Sequence, residues 1–292
     1  MENIERMDMA GHTEENLLKV ISFNMKRDGF WGKRNRWAAR RDLAAELIRR
    51  SGASIIGVQE LLPKMRRDVE ESLQDYSIIG HGRYLGKNTY NDEHSDIIVR
   101  NSDADVHYHK TFWLSKQPEK SGTRGLLALF PRICTMAEIY VKELDCRIRV
   151  FNTHFDCLSG PARTLGVRVI LSYMSKYNKE EPLPTILMGD MNATPDSKAI
   201  RILRENDHHY DNVHLNDVYE ALGGSEIQNT YHFFKGIVKE GMKPIDYIFV
   251  SDEFEVVRSE ICTDHDGEQY PSDHFPVMAT LRLRRQAQPV CD

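Results

Sequence analysis

Polar side chains recur at points where apolar, strand-like runs of this sequence end, and their types suit chemistry on a phosphate group. Glu60, Asp190 and Asp273 offer carboxylate oxygens of the kind that bind Mg²⁺ or Mn²⁺. His154 and His274 can donate to phosphate oxygens or stabilise developing negative charge. A divalent cation, a carboxylate that orients water and imidazole groups together can add water to a phosphoester. The residue types therefore predict metal-dependent phosphoester hydrolysis.

Each of these residues also has an ordinary structural explanation when it is taken alone. Glu60 can be a solvated residue at the start of a helix, Asp190 can belong to a turn, and His154 can be a buried histidine with satisfied hydrogen bonds. Asp246 is harder to explain in this way, because it lies within an apolar run and charged residues are seldom buried unpaired. The recurrence of such residues at several strand ends favours a site, since ligand clefts form at strand ends in α/β proteins.

The hydrophobic pattern predicts the elements that must position these side chains. Helices are expected over Arg36–Arg50, Lys64–Leu73 and Asp196–Leu203, and a further helix begins at Pro161. One face of that helix is expected to carry Ala162, Leu165, Val169, Ile170 and Tyr173. Short β-branched runs predict strands at Leu18–Phe23, Ser54–Val58, Tyr76–Ile79, Ile97–Val99, Val106–Trp113, Ile133–Val141, Arg147–Thr153, Thr185–Met188, Ile245–Val250, Phe254–Cys262 and Phe275–Leu283. Helices and strands alternate early and strands follow strands later, which favours mixed sheets.

Composition sets the limits of the interpretation. The chain has 292 residues, 40% of them hydrophobic, and a formal charge of −5. No apolar run reaches the ~18 residues of a membrane span, and the polar, acidic N-terminus lacks the features of a secretory signal, so we expect a cytoplasmic monomer. The five cysteines are scattered, which argues against a zinc or disulfide framework. We expect an N-terminal arm over 1–16, one domain over 17–284 and a polar tail over 285–292.

Six short motifs resemble those of the endonuclease/exonuclease/phosphatase superfamily, in the order and at the broad spacing of that family. The resemblance covers about residues 18–283. It implies a four-layer α/β/β/α sandwich, in which two packed mixed sheets are flanked by helices, as in deoxyribonuclease I-like proteins. The motifs are Ser22-Phe23-Asn24, Gln59-Glu60, Asn152-Thr153-His154-Phe155, Gly189-Asp190-Met191-Asn192, Ile245-Asp246-Tyr247-Ile248 and Ser272-Asp273-His274.

The resemblance also implies a role for each matching residue. Glu60 would be the main metal ligand, and Asp273 and Asn24 would lie near the same Mg²⁺ or Mn²⁺ ion. Asp190 would align or deprotonate the attacking water. The remaining roles fall to residues around the phosphate. Asn192 and His274 would bind its oxygens, Asp246 would orient His274, and His154 would be a general acid or electrostatic stabiliser.

Further residues resemble one branch of the family more closely. The deoxyribonuclease I-like branch pairs the second histidine with a carboxylate. Glu93, seven residues before Arg100, is the candidate partner of His154. A surface acid in a polar loop is the alternative. The segment after His154 and the Pro131-Arg132-Ile133-Cys134-Thr135 element resemble a bacterial hydrolase branch, where Arg132 would face the cleft. Lys26 stands where some abasic-site endonucleases have an acidic residue, which argues against two metals.

Four functions remain to be compared. A small-molecule phosphodiesterase or phosphatase fits the negative net charge, whereas a DNA or RNA nuclease needs a basic groove. The basic stretch from Lys26 to Arg41 can be such a groove or a solvated loop and helix face. A non-enzymatic binding module is disfavoured because the candidate site residues are all present. A zinc hydrolase is disfavoured because His208-His209 is adjacent in sequence rather than at i, i+4 spacing.

Overall fold

A computed structural model of the chain describes residues 16–29, 32–88, 90–205, 210–221, 228–238 and 241–284. Most of the predicted N-terminal arm, the tail over 285–292 and His208-His209 lie outside the described residues, and the predicted domain boundaries stay a prediction. The strands are β1 (Leu17–Asn24), β2 (Ile55–Gln59), β3 (Tyr76–Ile79), β4 (Ile97–Arg100), β5 (Ala104–Trp113), β6 (Ile133–Val141), β7 (Cys146–His154), β8 (Thr185–Asp190), β9 (Asn216–Asp217), β10 (Asp246–Val250), β11 (Phe254–Ile261) and β12 (Val277–Leu283). The helices are α1 (Trp37–Ser51), α2 (Pro63–Ser72), α3 (Gly160–Glu180), α4 (Lys198–Glu205) and α5 (Val218–Ala221).

The strands form two six-stranded mixed sheets of matching design. One has the order β11-β12-β1-β2-β4-β3 and the other the order β5-β6-β7-β8-β10-β9. Each sheet contains one parallel pair at its centre, β1 with β2 and β7 with β8, and its remaining neighbours are antiparallel. Two parallel pairs therefore direct their carboxyl ends toward one edge of the molecule.

The two sheets pack face to face and helices cover their outer faces. Along β1, Leu18 and Val20 face the opposite sheet, whereas Ile21 and Phe23 pack toward α1 and α2. This alternation follows from the two-residue period of a strand. Val167 and Ile170 of α3 pack on the outside of the second sheet. The predicted four-layer α/β/β/α sandwich is confirmed.

A glycine allows the two sheets to approach closely beside the site. A Cβ atom on Gly57 would lie 2.6 Å from the sulfur of Met188 and 2.7 Å from Oδ1 of Asn152. The same Asn152 oxygen accepts a hydrogen bond of 2.7 Å from Nε2 of Gln59, and its amide donates to the carbonyl oxygens of Val58 and Asp96. The strand ends of both sheets are thereby held together by hydrogen bonds between buried polar groups.

Two features depart from the predicted elements. The short strand β9 and the single-turn helix α5 were not predicted, because segments of two and four residues carry no periodicity. The predicted face of α3 was incomplete, although Val169 and Tyr173 pack against the core as expected. Leu165, Val169 and Tyr173 are half-buried, whereas Gly166, Val167 and Leu171 form the buried face with Ala162 and Ile170.

Candidate functional site

The sheet register brings the polar strand ends together at one edge of the sandwich. Asn24 pairs with Gln59 at the end of the first parallel pair, directly before Glu60. His154 pairs with Asp190 at the end of the second, and Asp190 also lies opposite Asp246, where β10 begins. Buried polar side chains therefore meet from five strands, because parallel strands end together and the antiparallel neighbour begins there.

Asn24 links Glu60 with Asp190 across the interface between the sheets. Its amide nitrogen donates to Oε1 of Glu60 over 3.1 Å and to Oδ2 of Asp190 over 2.9 Å. The amide oxygen of Asn24 accepts from the backbone N–H of Lys26 instead. The structure thus brings Asn24 and Glu60 together as predicted, but the amide would have to turn before its oxygen could act as a metal ligand.

Lys26 lies between the two carboxylates that were predicted to share a cation. Its Nζ is 3.0 Å from Oδ2 of Asp273 and 3.9 Å from Oε2 of Glu60. Burial alone would raise the pKa of Glu60, but the charge of Lys26 and the backbone N–H of Arg27 overcome this effect and lower the pKa to about 2. Glu60 is therefore an anion at neutral pH. Oδ1 of Asp273 is buried and has no hydrogen-bond donor among the described residues.

His274 is held by Asp246 and faces two further carboxylates. Its Nδ1 lies 2.8 Å from Oδ2 of Asp246, and its Nε2 lies 3.9 Å from oxygens of both Asp190 and Asp273. Burial would lower the pKa of His274, but Asp246 first and then Asp190 and Asp273 raise the pKa to about 10. The imidazole is therefore a cation in this site, with Nε2 available as a donor toward the carboxylates.

Asp190 is the shared neighbour of most of these groups. Its Oδ2 lies 3.4 Å from Nε2 of His154, and its Oδ1 accepts from the backbone N–H of Asn192 over 2.8 Å. Burial, and then the charge of Asp246, raise the pKa of Asp190 to about 7, although His274 and the hydrogen bonds oppose this. A carboxylate with such a pKa is suited to exchange a proton near neutral pH.

His154 lies on the other side of Asp190 and differs from His274 in charge. The amide nitrogen of Asn192 lies 2.9 Å from Nε2 of His154 and also donates to the carbonyl oxygen of Phe155. Burial, and then the positive charge of Arg132, hold the pKa of His154 well below its usual range. The ring is therefore neutral, and its Nε2 is the acceptor of the hydrogen bond from Asn192.

Glu93 is buried but has different partners from the predicted one. Its carboxylate contacts Arg27 at 2.5 Å and is bound by two nitrogens of Arg83 at 3.1 and 3.2 Å. No hydrogen bond or ion pair joins Glu93 to His154 in the part of the chain that the structure describes. The guanidinium groups compensate the buried negative charge of Glu93. Glu93 is therefore neither the predicted partner of His154 nor a solvated surface acid.

Three residues of the site adopt left-handed backbone conformations that are uncommon for residues other than glycine. The φ angles are 48° for Lys26, 58° for Glu60 and 44° for Asn192. Asparagine tolerates this region, whereas glutamate and lysine rarely adopt it. Such strain persists only where the surrounding structure compensates for it, and it concentrates at functional sites. Here the left-handed conformations direct the three side chains, each of which follows the end of a strand, toward one site.

Ligand atoms able to hold a metal ion form two overlapping groups. Glu60, His154 and Asp190 make up one, and Asp190, Asp246 and His274 the other, with the atoms of each group within 4.8 Å of one another. Asp273 belongs to neither, and the ammonium group of Lys26 lies within 3.0 Å of Asp273 and 3.9 Å of Glu60. The arrangement thus fits a cation beside Glu60 and Asp190 more directly than one between Glu60 and Asp273.

Sequence reasoning missed one part of this region. Arg83, which binds Glu93 with two nitrogens, lies in a loop whose sequence has no apolar periodicity. Its position between Gly82 and Tyr84 is the one sequence signal that could have drawn attention to it. Arg132 was expected to face the cleft, and its charge acts on His154. Within the described residues, no helix is long and apolar enough to cross a membrane.

Comparison with known families identifies the fold. The profile of the Endonuclease/Exonuclease/phosphatase family matches residues 21–274, which include every residue of the site described above. The chain belongs to this family. Its members are generally hydrolases that act on phosphoesters and generally use divalent metals, and the acidic and histidine groups of this site are able to bind one. No curated protein matches the chain.

Solved structures of the same family are similar over nearly the whole chain. A family protein from Bacteroides thetaiotaomicron has 27% identity and a TM-score of 0.81, covering 93% of this chain and 99% of that one. A family protein from Bacteroides vulgatus has 28% identity and a TM-score of 0.82, covering 92% and 100%. A mannosyl-6-phosphatase from B. thetaiotaomicron has 28% identity and a TM-score of 0.79, covering 90% and 99%.

Proposed function

We propose that this chain is a Mg²⁺- or Mn²⁺-dependent hydrolase that removes phosphate from a small phosphorylated molecule. The observation that carries the proposal is the position of Asp190, which is buried between two histidines, one neutral and one positively charged. His154 lies 3.4 Å and His274 3.9 Å from its Oδ2, and both rings can reach a phosphate placed beside the carboxylate. A purely structural cluster of this kind would be costly, because its buried charges are incompletely paired.

The donor set fits a hard divalent cation. Glu60 would hold it, with Asp190 and His154 beside it, and Oδ1 of Asp273 is a spare buried acceptor at the edge of the same space. Asn24 borders the position through its amide. When bound, the cation supplies positive charge that neutralises the phosphate and so favours attack by water. Asp273 would join the ligands only after Lys26 moves away from it.

Asp190 would orient the attacking water and accept its proton. The amide of Asn24 and the backbone N–H of Asn192 fix its two oxygens, so the carboxylate cannot rotate freely. Its pKa of about 7, raised by burial and by Asp246, means that the ionised form is present near neutral pH and still binds a proton readily. These two properties are what a general base needs.

The two histidines and Asn192 would bind the phosphate oxygens. Asp246 keeps His274 charged, so that Nε2 of His274 can donate to an oxygen as negative charge develops there. His154 is neutral in the free protein, but a phosphate dianion beside it would raise its pKa and favour the protonated form. His154 can then stabilise the leaving oxygen or protonate it, and the amide of Asn192 can donate alongside.

The charges of the basic stretch favour a small substrate over a nucleic acid. Arg40 is fully buried and donates to backbone carbonyls, while Arg34, Arg36 and Arg41 each form an ion pair with a nearby acid. A groove for long nucleic acid needs unpaired cations that follow several phosphates. Most of this stretch is instead neutralised within the protein. The likeness to a mannosyl-6-phosphatase supports the same choice and suggests sugar phosphates as first substrates.

The proposal is tested with a panel of phosphoesters that contains sugar phosphates, nucleotides, a lipid head-group phosphodiester, RNA oligonucleotides and supercoiled plasmid. We expect release of inorganic phosphate from a sugar phosphate with Mg²⁺ or Mn²⁺, and no release with EDTA or with Asp190→Asn. Nicking of the plasmid in preference would identify an endonuclease instead. An inactive wild-type protein that still binds the metal would favour a binding module on the same fold.

A further inference from the structure

Beside the site, three arginines surround one carboxylate. Glu93 contacts Arg27 at 2.5 Å, Arg83 at 3.1 and 3.2 Å, and Arg132 at 4.0 Å. Three positive charges against one negative charge leave a local excess of two. All four side chains are at least three-quarters buried. Burial of excess charge is costly, which points to an anion that this cluster is built to receive.

Two of the arginines are fully engaged in building the cluster. Arg27 also donates to the backbone oxygen of Tyr90 over 3.0 Å. Arg83 donates through Nε to the backbone oxygen of Asn91 over 2.7 Å, and its guanidinium lies 4.9 Å from the centre of the Phe130 ring. These contacts hold the two groups in place, so they form the frame of the cluster rather than its free donors.

Arg132 is different from its two neighbours. It is 9% exposed, its Nε is buried without a hydrogen-bond partner, and its guanidinium makes no side-chain hydrogen bond among the described residues. Its ion pair with Glu93 is long, at 4.0 Å. A guanidinium presents five donors in a planar fork that matches a phosphate. A buried guanidinium whose Nε has no hydrogen-bond partner is the second observation that points to an anionic ligand.

The position of Arg132 places these donors next to the reacting groups. Arg132 directly precedes β6, which pairs with β7, the strand that ends at His154. The ion-pair partner of Arg132 is Glu93, and none of its ion pairs in the described part of the chain is with Asp190. Arg132 therefore borders the site on the side of His154.

We propose that Arg132 binds a second phosphate group of the substrate, so that the preferred substrate is a small molecule with two phosphates. This inference rests on the proposed phosphoester hydrolysis for the identity of the substrate, but the anion subsite itself does not. The phosphate that is hydrolysed would lie between His154 and His274, and the second would lie beyond His154 against Arg132. Arg27 and Arg83 would contribute positive charge without leaving Glu93.

The subsite is tested first without catalysis. Inorganic phosphate is titrated calorimetrically into the metal-free protein in EDTA, where the carboxylates around Asp190 repel it. We expect one bound phosphate, and at least about tenfold weaker binding in Arg132→Gln. Arg124→Gln, which removes an exposed arginine from the neighbouring loop, is expected to bind as the wild type does. Unchanged phosphate binding in Arg132→Gln would overturn the subsite.

A second measurement separates the two phosphates. If the panel above yields substrates, kcat/KM is compared for a sugar monophosphate and the corresponding bisphosphate. We expect Arg132→Gln to lower the value about tenfold for the bisphosphate and by no more than about twofold for the monophosphate. An equal loss for both would mean that Arg132 holds the phosphate under attack, which would overturn the proposal. Phosphate binding that depends on Arg132 in an inactive wild type would retain the subsite and reject the hydrolase.

Folding of the variants is checked in the same series. Because the guanidinium is buried with few partners, replacing it removes an unfavourable charge, and we expect a melting temperature no lower than that of the wild type. Arg132→Met serves in place of Arg132→Gln if the latter does not fold. It is judged by the same phosphate titration and the same two outcomes. A large loss of thermal stability in both variants would mark Arg132 as a structural residue and contradict the proposal.

Discussion

The ammonium group of Lys26 lies 3.0 Å from Oδ2 of Asp273, between this carboxylate and Glu60. The Asp273 side chain is almost fully buried, and its other oxygen has no hydrogen-bond donor in the described part of the chain. Lys26 therefore neutralises the side of the site where the sequence predicted a shared cation. A divalent metal that approaches Glu60 must overcome the repulsion of this ammonium group or displace it.

Replacing Lys26 with methionine should tighten binding of Mg²⁺. Removal of a positive charge 3.9 Å from Glu60 eliminates an unfavourable Coulomb interaction, and we expect a gain in affinity of about tenfold or more. The measurement is isothermal titration calorimetry of the metal-free protein. Lys33→Met, which removes an exposed lysine, is the matched control and should leave the affinity unchanged. Equal affinities of wild type and Lys26→Met would show that the cation binds away from Lys26.

Activity should depend on pH through Asp190. Burial and Asp246 raise the pKa of Asp190 to about 7, and only the ionised form can accept a proton from water. We therefore expect kcat/KM to fall as the pH decreases, with a midpoint at or below about 7 because a bound cation lowers the pKa further. The measurement is a pH profile at saturating Mg²⁺.

Asp246→Asn provides a sharper test of the same coupling. Removing the neighbouring charge should move the acidic limb to lower pH by about one unit. It should also lower kcat by about 100-fold, because His274 loses the hydrogen bond that orients its ring, while Asp190 and Asp273 still favour its charged form. Glu255→Gln, at an exposed position of β11, is the control for the loss of an acidic side chain. It should change neither the position of the acidic limb nor kcat. An acidic limb that stays in place would assign it to a group other than Asp190.

The framework of the site could be predicted from the sequence because local patterns determine it. The apolar run before Asn24 has the two-residue period of a strand, and the run before Asp190 has the length and flanking turn of a buried strand. Once such strands form parallel pairs, their polar ends meet without further information. The pattern of residue types was therefore sufficient to assign the residues at these ends, among them His154 and Asp246, to one site.

The remaining features depend on contacts between distant loops, which leave no periodic signal. The arginine partners of Glu93 come from three separate segments. The sequence alone could therefore suggest His154 as the partner of Glu93, but it could not show that the arginines bind Glu93 instead. The buried face of α3 was incompletely predicted for a related reason. A Cβ on Gly166 would meet Phe155 and Leu114 at 3.2 Å, so the helix packs closest at a residue that adds no apolar side chain to the pattern.

Arg40 should be needed for stability and for the shape of the site. It is fully buried and donates to the backbone oxygens of Met25, Lys26 and Pro271, which joins the segment after β1 to the segment before Asp273. Arg40→Met would leave these carbonyls without a donor. We expect the free energy of unfolding to fall by about 3 kcal/mol or more, as measured by urea denaturation. The adjacent exposed Arg41→Met should cost less than about 0.5 kcal/mol. Similar losses in the two variants would contradict this assignment.

His232 should make the stability of the protein depend on mildly acidic pH. Its Nδ1 accepts from the backbone N–H of Gly236 over 3.1 Å, and its ring stacks on Phe275 with centroids 3.9 Å apart. Burial, and then the positive charge of His274, lower the pKa of His232 to about 4. The unfolded chain, in which a histidine has a pKa of about 6.5, therefore binds more protons between these two values.

His232 should consequently lower the free energy of unfolding by up to about 1.4 kcal/mol per pH unit as the pH decreases from about 6.5 to about 4, whereas Asp190, with its pKa raised to about 7, should act in the opposite direction. The neutral ring of His154 adds to the slope in the same direction. In His232→Gln we expect a lower free energy of unfolding at pH 7.5. We also expect this free energy to depend less steeply on pH, by up to the slope of about 1.4 kcal/mol per pH unit that one bound proton contributes, as measured by urea denaturation across this range. His109→Gln, at an exposed position of β5, should keep the wild-type slope. If His232→Gln keeps that slope too, His232 is protonated in the folded protein, and the hydrogen bond from Gly236 to its Nδ1 does not form.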